Sequence, residues 1–244
     1  LAWSDQFAPE FDLIREALKR PRIRMDDDYQ RPFEIPIVNF VNLRNVAQTA
    51  AQRAQCCLLL GRSDQAFREL SLIFELRRLL ASKPVTLVAA MIDVAVSGLY
   101  AETVAEGVRL QAWREPELAA LQKQLQQIKL LPALAESIRM ERVAFCQTLE
   151  TTTAGETAKL FSLGRSNDGF WKRITDPAFL LLKLLPRGWV YQNLVSISVL
   201  EQDVATAIQP GVGLVGPSQT EAASRAAASL AAHRSPYTVF TAIA

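Results

Sequence analysis

His233 is the only histidine in the chain, and it limits the nucleophilic chemistry that the sequence can offer. A multi-histidine metal site is excluded, so a cysteine paired with His233 is the one conventional nucleophile arrangement that remains. The histidine falls at the end of an alanine-rich helical pattern, where a cationic side chain interacts favourably with the helix dipole. We therefore expect His233 to be structural, and we predict no catalytic residue.

Carboxylates occur in two groups that could in principle hold a metal ion. Asp26–Asp28 are consecutive and lack the alternation and the glycine of a calcium loop, so we interpret them as a solvated turn beside a basic run. Glu102 and Glu106 lie one helical turn apart, but carboxylate-bridged metal helices also need Glu-x-x-His elements, which the sequence lacks. We therefore predict no metal site and no cofactor.

Charged residues among apolar neighbours mark a candidate polar interior or groove. Asp93 interrupts an apolar helical pattern, and Arg139, Glu141 and Arg142 occur within another. A buried carboxylate needs a hydrogen bond or a cationic partner, so we expect Asp93 to pair with an arginine such as Arg139 or Arg142.

A second candidate surface combines aromatic and basic side chains. Its members are Trp171, Arg173, Arg187 and Trp189. They could form a ligand surface, whereas tryptophans in irregular segments more often anchor the segment to a core. No phosphate loop, nucleophile elbow or dinucleotide fingerprint occurs, so catalysis is not the expected function.

The charge balance and the cysteine content argue against further classes of function. The 27 basic and 25 acidic residues are interspersed, which leaves no extended positive field, so we expect no nucleic-acid partner. Three cysteines without regular spacing do not form a disulfide framework, and adjacent Cys56 and Cys57 diverge on a helix. Free, buried thiols are therefore expected.

The elements that would position these residues are helices. The clearest is a hairpin from Leu43 to Leu80, where two amphipathic patterns meet at Gly61 and alanines on the first helix face large side chains on the second. We expect Ser63 or Asp64 to cap the second helix. Its charged residues are predicted to be solvated: Arg68, Glu69, Glu75 and Arg78.

The rest of the chain continues the helical pattern. Further helices are predicted over residues 7–18, 85–111, 116–128, 132–149, 177–185, 189–208 and 218–233, with an irregular connection over 151–176. The sequence thus predicts an all-α fold, an irregular bundle of about eight helices arranged as helical hairpins. We place a hairpin domain at 1–150 and a second helical segment, packed on the first in one continuous domain, at 151–244. The apolar run from Val85 to Ala101 contains Asp93, so we interpret it as a core helix and not as a membrane span.

The hairpin resembles part of a tetratricopeptide repeat. The small residues of that motif are matched by Ala54, Gly61 and Ala66. However, Ala50 stands at the usual tryptophan position, Arg53 at the usual leucine position and Arg78 at the terminating proline. Since no second copy follows, we expect a partly tetratricopeptide-like bundle and not a regular repeat array.

Three phrases, at residues 11–21, 60–66 and 185–189, resemble those of uncharacterised bacterial helical proteins that carry an N-terminal membrane anchor. The resemblance implies an extracytoplasmic domain at the cell envelope, with its anchor outside these 244 residues, and it implies no catalytic residues. We therefore expect a non-catalytic scaffold or protein-binding module whose partner is another protein. The alternatives are a binder of an apolar or lipid-like ligand between helices, and a hydrolase of unrecognised type.

Overall fold

The computed structural model describes residues 1–20, 37–81, 86–151, 187–209 and 214–232. Its helices are α1 (Ala2–Asp5), α2 (Ala8–Leu18), α3 (Ile37–Leu59), α4 (Ser63–Leu80), α5 (Leu87–Arg109), α6 (Glu115–Gln126), α7 (Leu130–Thr151), α8 (Arg187–Ala207) and α9 (Pro217–Ala232). Two short strands, β1 (Ile208–Gln209) and β2 (Leu214–Val215), pair antiparallel. The predicted all-α fold is confirmed, and the two-residue ladder is an addition to it. The connection and helix predicted within 152–186 lie outside the described residues.

The chain divides into two compact units, Leu1–Ser137 and Ile138–Ala244. The division falls within α7. The proposed packing of residues 151–244 on the first domain stays a prediction.

The core of the first unit is formed where α3, α4 and α5 pack against one another. Ala50 and Ala54 of α3 are completely buried, and so are Leu70 and Ile73 of α4. Small side chains on α3 thus share the core with large ones on α4, and each buried leucine or isoleucine contributes roughly 1.5–3 kcal/mol. This is the large-against-small packing that the hairpin pattern predicts.

The turn between α3 and α4 depends on Gly61, which has a positive φ of 69°. The Gly61 amide donates to the Leu58 carbonyl at 3.0 Å, and the Arg62 amide donates to the Cys57 carbonyl at 2.8 Å. These two bonds close a glycine-terminated helix end, as predicted. The predicted cap was wrong, because α4 begins at Ser63 without a side-chain cap.

The second unit contains a smaller core between α7 and α8. Its buried side chains are Phe145, Leu149, Leu194 and Ile197, with Cys146 packed beside them. The last helix, α9, packs against α8. Two helices from distant parts of the sequence therefore meet here, and they bring polar residues together as well.

Candidate protein-binding surface

Helix α5 is held by one face only. Its N-cap is Thr86, whose hydroxyl accepts a hydrogen bond from the Ala89 amide at 3.1 Å. Its buried residues, which include Val96 and Tyr100, face the core formed with α3 and α4. Because this face recurs at helical spacing, the opposite side of α5 is left without a neighbouring helix among the described residues of the first unit.

That opposite side is apolar and, apart from the half-buried Leu87, exposed. It consists of Leu87, Met91, Val94, Gly98, Ala101, Ala105 and Val108, which we call the α5 outer face. Met91 is 62% exposed, Val94 47% and Val108 55%. From Leu87 to Ala101 the only charged residue of α5 is Asp93, which is buried on the other side. Single exposed apolar side chains are ordinary, but a contiguous uncharged helix face marks an interaction site.

The spacing of the α5 outer face is suited to another helix. Its residues alternate at intervals of four and three, which is the pattern that lines a helix–helix seam. Three small residues, Gly98, Ala101 and Ala105, follow Val94 on this face, and a Cβ added at Gly98 would meet no atom within 4 Å. A partner backbone can therefore approach α5 closely at this point.

By length and composition, α5 is the one described helix that could cross a membrane. Core helices of soluble proteins pass the same criterion, and 44% of the apolar window is buried in the protein. The buried carboxylate of Asp93 within that window agrees with the core position that the sequence predicts.

Asp93 forms a buried ion pair with Arg77 of α4. The Arg77 Nε lies 3.0 Å from the Asp93 Oδ1 and donates to the Ser97 hydroxyl at 3.0 Å. Burial raises the pKa of Asp93, while the positive charge of Arg77 and the hydroxyl of Ser97 oppose that rise. The expected pairing with an arginine is confirmed. The expected arginines were wrong, because the partner is neither Arg139 nor Arg142.

Arg77 was detectable in the sequence, although we did not predict it. It lies four residues after Ile73 and three before Leu80, so it falls on the buried stripe of α4. An arginine on such a stripe needs an anion in the core.

Glu69 was predicted to be solvated, and the structure places it in the interior instead, only 6% exposed. Its carboxylate accepts from Arg15 of α2 at 2.6 Å and from Arg53 of α3 at 3.2 Å. Both guanidinium groups also lie over the ring of Phe11. Arg53, which stands at the leucine position of the tetratricopeptide motif, thus joins α2, α3 and α4 by charge instead of apolar packing.

Asp93 belongs to the first unit, whereas the other three residues of the predicted polar groove, Arg139, Glu141 and Arg142, belong to the second. Arg142 donates to the Gln202 side chain of α8 at 2.5 Å. Burial raises the pKa of Glu201 to about 7, and the negative charge of Glu141 adds to the rise while Arg142 opposes it. Arg139 is exposed on the same helix. The predicted polar groove therefore combined the Asp93 ion pair of the first unit with a separate group of charged residues in the second.

The raised pKa of Glu201 predicts a pH-dependent stability of the α7–α8 pair. Since the folded-state pKa of about 7 exceeds the ordinary value of 4.5, the contribution is complete below pH 4.5 and is lost as the pH rises through 7. We expect Glu201→Gln to remove this dependence and to stabilise the second unit at pH 8 by about 1–2 kcal/mol. Amide hydrogen exchange of α7 and α8 at pH 5 and 8 measures it; an unchanged pH dependence in the variant would contradict the assignment.

The predicted aromatic-basic surface is described only in part. Trp171 and Arg173 lie outside the described residues, and Arg187 begins α8. Trp189 is half-buried in the first turn of α8, and its carbonyl accepts a hydrogen bond from the Asn193 side chain at 2.8 Å. Whether the four residues form one surface stays a prediction.

A cavity of about 440 Å³ opens in the first unit at the end of α4. Its lining includes apolar Phe74 and Pro132 together with charged Arg78, Lys129 and Glu136. The volume lies within the range of small-molecule sites, which are mostly apolar with a few polar groups. This cavity is the feature that agrees with the alternative of an apolar or lipid-like ligand.

The described residues offer few side-chain groups for conventional catalysis or metal binding. No group of three or more histidine, cysteine, aspartate or glutamate side chains there could hold a metal ion. All three cysteines are free, with Cys57 buried and Cys146 half-buried, its sulfur 3.4 Å from the Ser198 hydroxyl. His233 lies outside the described residues, so a convergence of Cys146 with His233 stays untested.

Comparison with known proteins found no matching family model, no matching curated protein and no matching solved structure.

Proposed function

We propose that this chain is a non-catalytic protein-binding module that docks a helix of its partner on the α5 outer face. The observation that carries the proposal is the uncharged, apolar face with alternating four- and three-residue spacing. The described residues of the first unit leave this face to solvent, although its burial would be favourable at roughly 25 cal/mol per Å².

The opposite side of α5 supports a binding role because it is rigidly fixed. The Arg77–Asp93 pair joins α5 to α4, and the indole N–H of Trp113 donates to the Val104 carbonyl at 3.0 Å. A face on such a helix is held in position before the partner arrives, so little conformational entropy is lost on binding.

The cell envelope is the proposed location. The support is the resemblance to bacterial helical proteins with an N-terminal membrane anchor, together with the apolar character of α5, which is compatible with an envelope protein. In this proposal the module projects from the membrane and presents the α5 outer face to a protein partner.

The test compares two variants that leave the fold intact. Gly98→Leu adds a large side chain at the centre of the α5 outer face, where a Cβ would meet no atom within 4 Å, whereas Leu13→Glu alters an exposed apolar residue of α2. We expect Gly98→Leu to abolish capture of the partner from an extract of the native cells, and Leu13→Glu to retain it. Identical capture by wild type and Gly98→Leu would refute the proposal.

The cavity supports a second candidate, a binder of a small amphipathic ligand. Its wall combines the ring of Phe74 with the charged groups of Arg78, Lys129 and Glu136, which suits a molecule with an apolar body and a polar end. Native mass spectrometry of the purified chain tests this candidate. A retained ligand that is lost in Ala133→Trp would favour it over docking on α5.

A further inference from the structure

We infer that the helix that docks on the α5 outer face is α5 of a second copy of this chain, packed antiparallel. This inference rests on the proposed function and specifies its partner. It follows from the order of side-chain sizes along the face, from the charges beside it and from its limited extent.

The α5 outer face changes from large to small along the helix. Its first half holds Leu87, Met91 and Val94. Its middle and later part holds Gly98, Ala101 and Ala105, and the face ends at the larger Val108. Because the two halves have complementary sizes, the face fits a copy of itself that runs in the opposite direction.

An antiparallel pair with its two-fold axis at the level of Val96 brings the halves into register. Three kinds of layer result: Leu87 opposite Ala105, Met91 opposite Ala101, and Val94 opposite Gly98. Each of these three layers combines one larger and one smaller residue, so the distance between the helix axes stays nearly constant from Leu87 to Ala105, and Val108 lies beyond the last layer. A parallel pair would instead stack large on large at one end and leave a gap at the other.

The position of the charged residue Glu102 supports the same antiparallel register. Glu102 is exposed beside the face, and the register places it next to the first turn of α5 in the second copy. The N-terminus of a helix carries a partial positive charge, which attracts a carboxylate. The antiparallel pair therefore aligns each Glu102 with the helix dipole of the other copy.

A bilayer suits this face less well than a second helix. Membrane-surface helices present large apolar side chains flanked by lysine and arginine. Here three of the seven residues of the face are glycine or alanine, and the exposed charges beside it are of both signs, Glu102 and Arg109. Small residues bury little area in lipid but permit close approach of another helix.

The small area of the α5 outer face limits the expected affinity between the two copies. Standard stable interfaces use about 20–30 residues from each partner, and one helix face supplies far fewer. We therefore expect a monomer–dimer equilibrium in the micromolar range, not a permanent dimer.

Sedimentation velocity of the 244-residue chain over roughly 1–100 µM tests the inference with a paired substitution. Ala101→Met alone places two large residues in one layer, and we expect the dissociation constant to rise at least tenfold. The double variant Met91→Ala/Ala101→Met restores one large and one small residue per layer, so we expect dimerisation to return to within about threefold of wild type. Such recovery is specific to pairing between copies in this register.

The register itself is tested by cross-linking. When a Met91→Cys chain is mixed with an Ala101→Cys chain, we expect a cross-link between the two substituted positions, identified by peptide mass spectrometry. Exclusive linkage of position 91 to position 91 would overturn the antiparallel arrangement.

A wild-type chain that stays monomeric over the whole concentration range would overturn the second copy as partner. The proposed function fails separately, when a captured protein or vesicle is bound equally by wild type and Gly98→Leu. Binding of anionic vesicles without dimerisation would likewise overturn the inference and assign the face to lipid.

Discussion

Replacing Asp93 with alanine is expected to lower the free energy of unfolding of the first unit by about 3–5 kcal/mol. The carboxylate is 1% exposed, and its removal would leave the buried guanidinium of Arg77 without an anion. Chemical denaturation followed by circular dichroism measures the loss.

The control is the double variant Arg77→Met/Asp93→Leu, which removes both charges and keeps the volume of the core. Since a buried ion pair often stabilises no more than apolar residues of similar size, we expect the double variant to recover most of the loss. A double variant that is as unstable as Asp93→Ala would show that the pair is not the reason for the effect.

Gly107→Ala is expected to destabilise the first unit by about 2–4 kcal/mol. A Cβ at this position would overlap the indole ring of Trp113, which is buried against α5 and donates its N–H to the Val104 carbonyl. The ring must therefore move, and its buried donor loses its partner. Denaturation curves and the tryptophan fluorescence of the chain, to which Trp113 contributes, report the change.

Gly98→Ala provides a matched control on the same helix. No atom lies within 4 Å of the added Cβ, so only the gain in helix propensity remains, and we expect stabilisation of about 1 kcal/mol. A lower free energy of unfolding in Gly107→Ala and a higher one in Gly98→Ala would support the description of α5 as a helix with one packed and one open side. Equal effects would argue against it.

The sequence was sufficient for the local features of the fold. Periodicity, Gly61 and the proline at the start of α6 identify helices and their ends, because these signals depend on neighbouring residues. The predicted side-chain cap of α4 was wrong, and Ser63 and Asp64 instead accept hydrogen bonds from the Arg114 side chain, which lies about fifty residues away along the chain.

Features that depend on distant contacts were harder to predict. We predicted Glu69 to be solvated because its side chain is charged. It lies three residues before Leu72, however, and shares the buried side of α4. Its partners Arg15 and Arg53 come from other helices, and no local pattern names them. The same holds for Asp93, whose burial was predictable but whose partner was not.

The α5 outer face was also missed, for a different reason. The first half of α5 is apolar nearly all round, so periodicity does not distinguish the packed side from the open side. Only the positions of α3 and α4 reveal that residues such as Met91 and Val94 remain exposed.

The most direct test of the binding surface is the oxidation rate of the Met91 thioether in intact cells and in dilute purified protein. Methionine oxidation follows solvent access, and the half-buried Met140 serves as an internal reference. If a partner helix covers the α5 outer face, Met91 oxidises several-fold more slowly in cells than in dilute solution, relative to Met140. Equal relative rates in both settings would contradict the account.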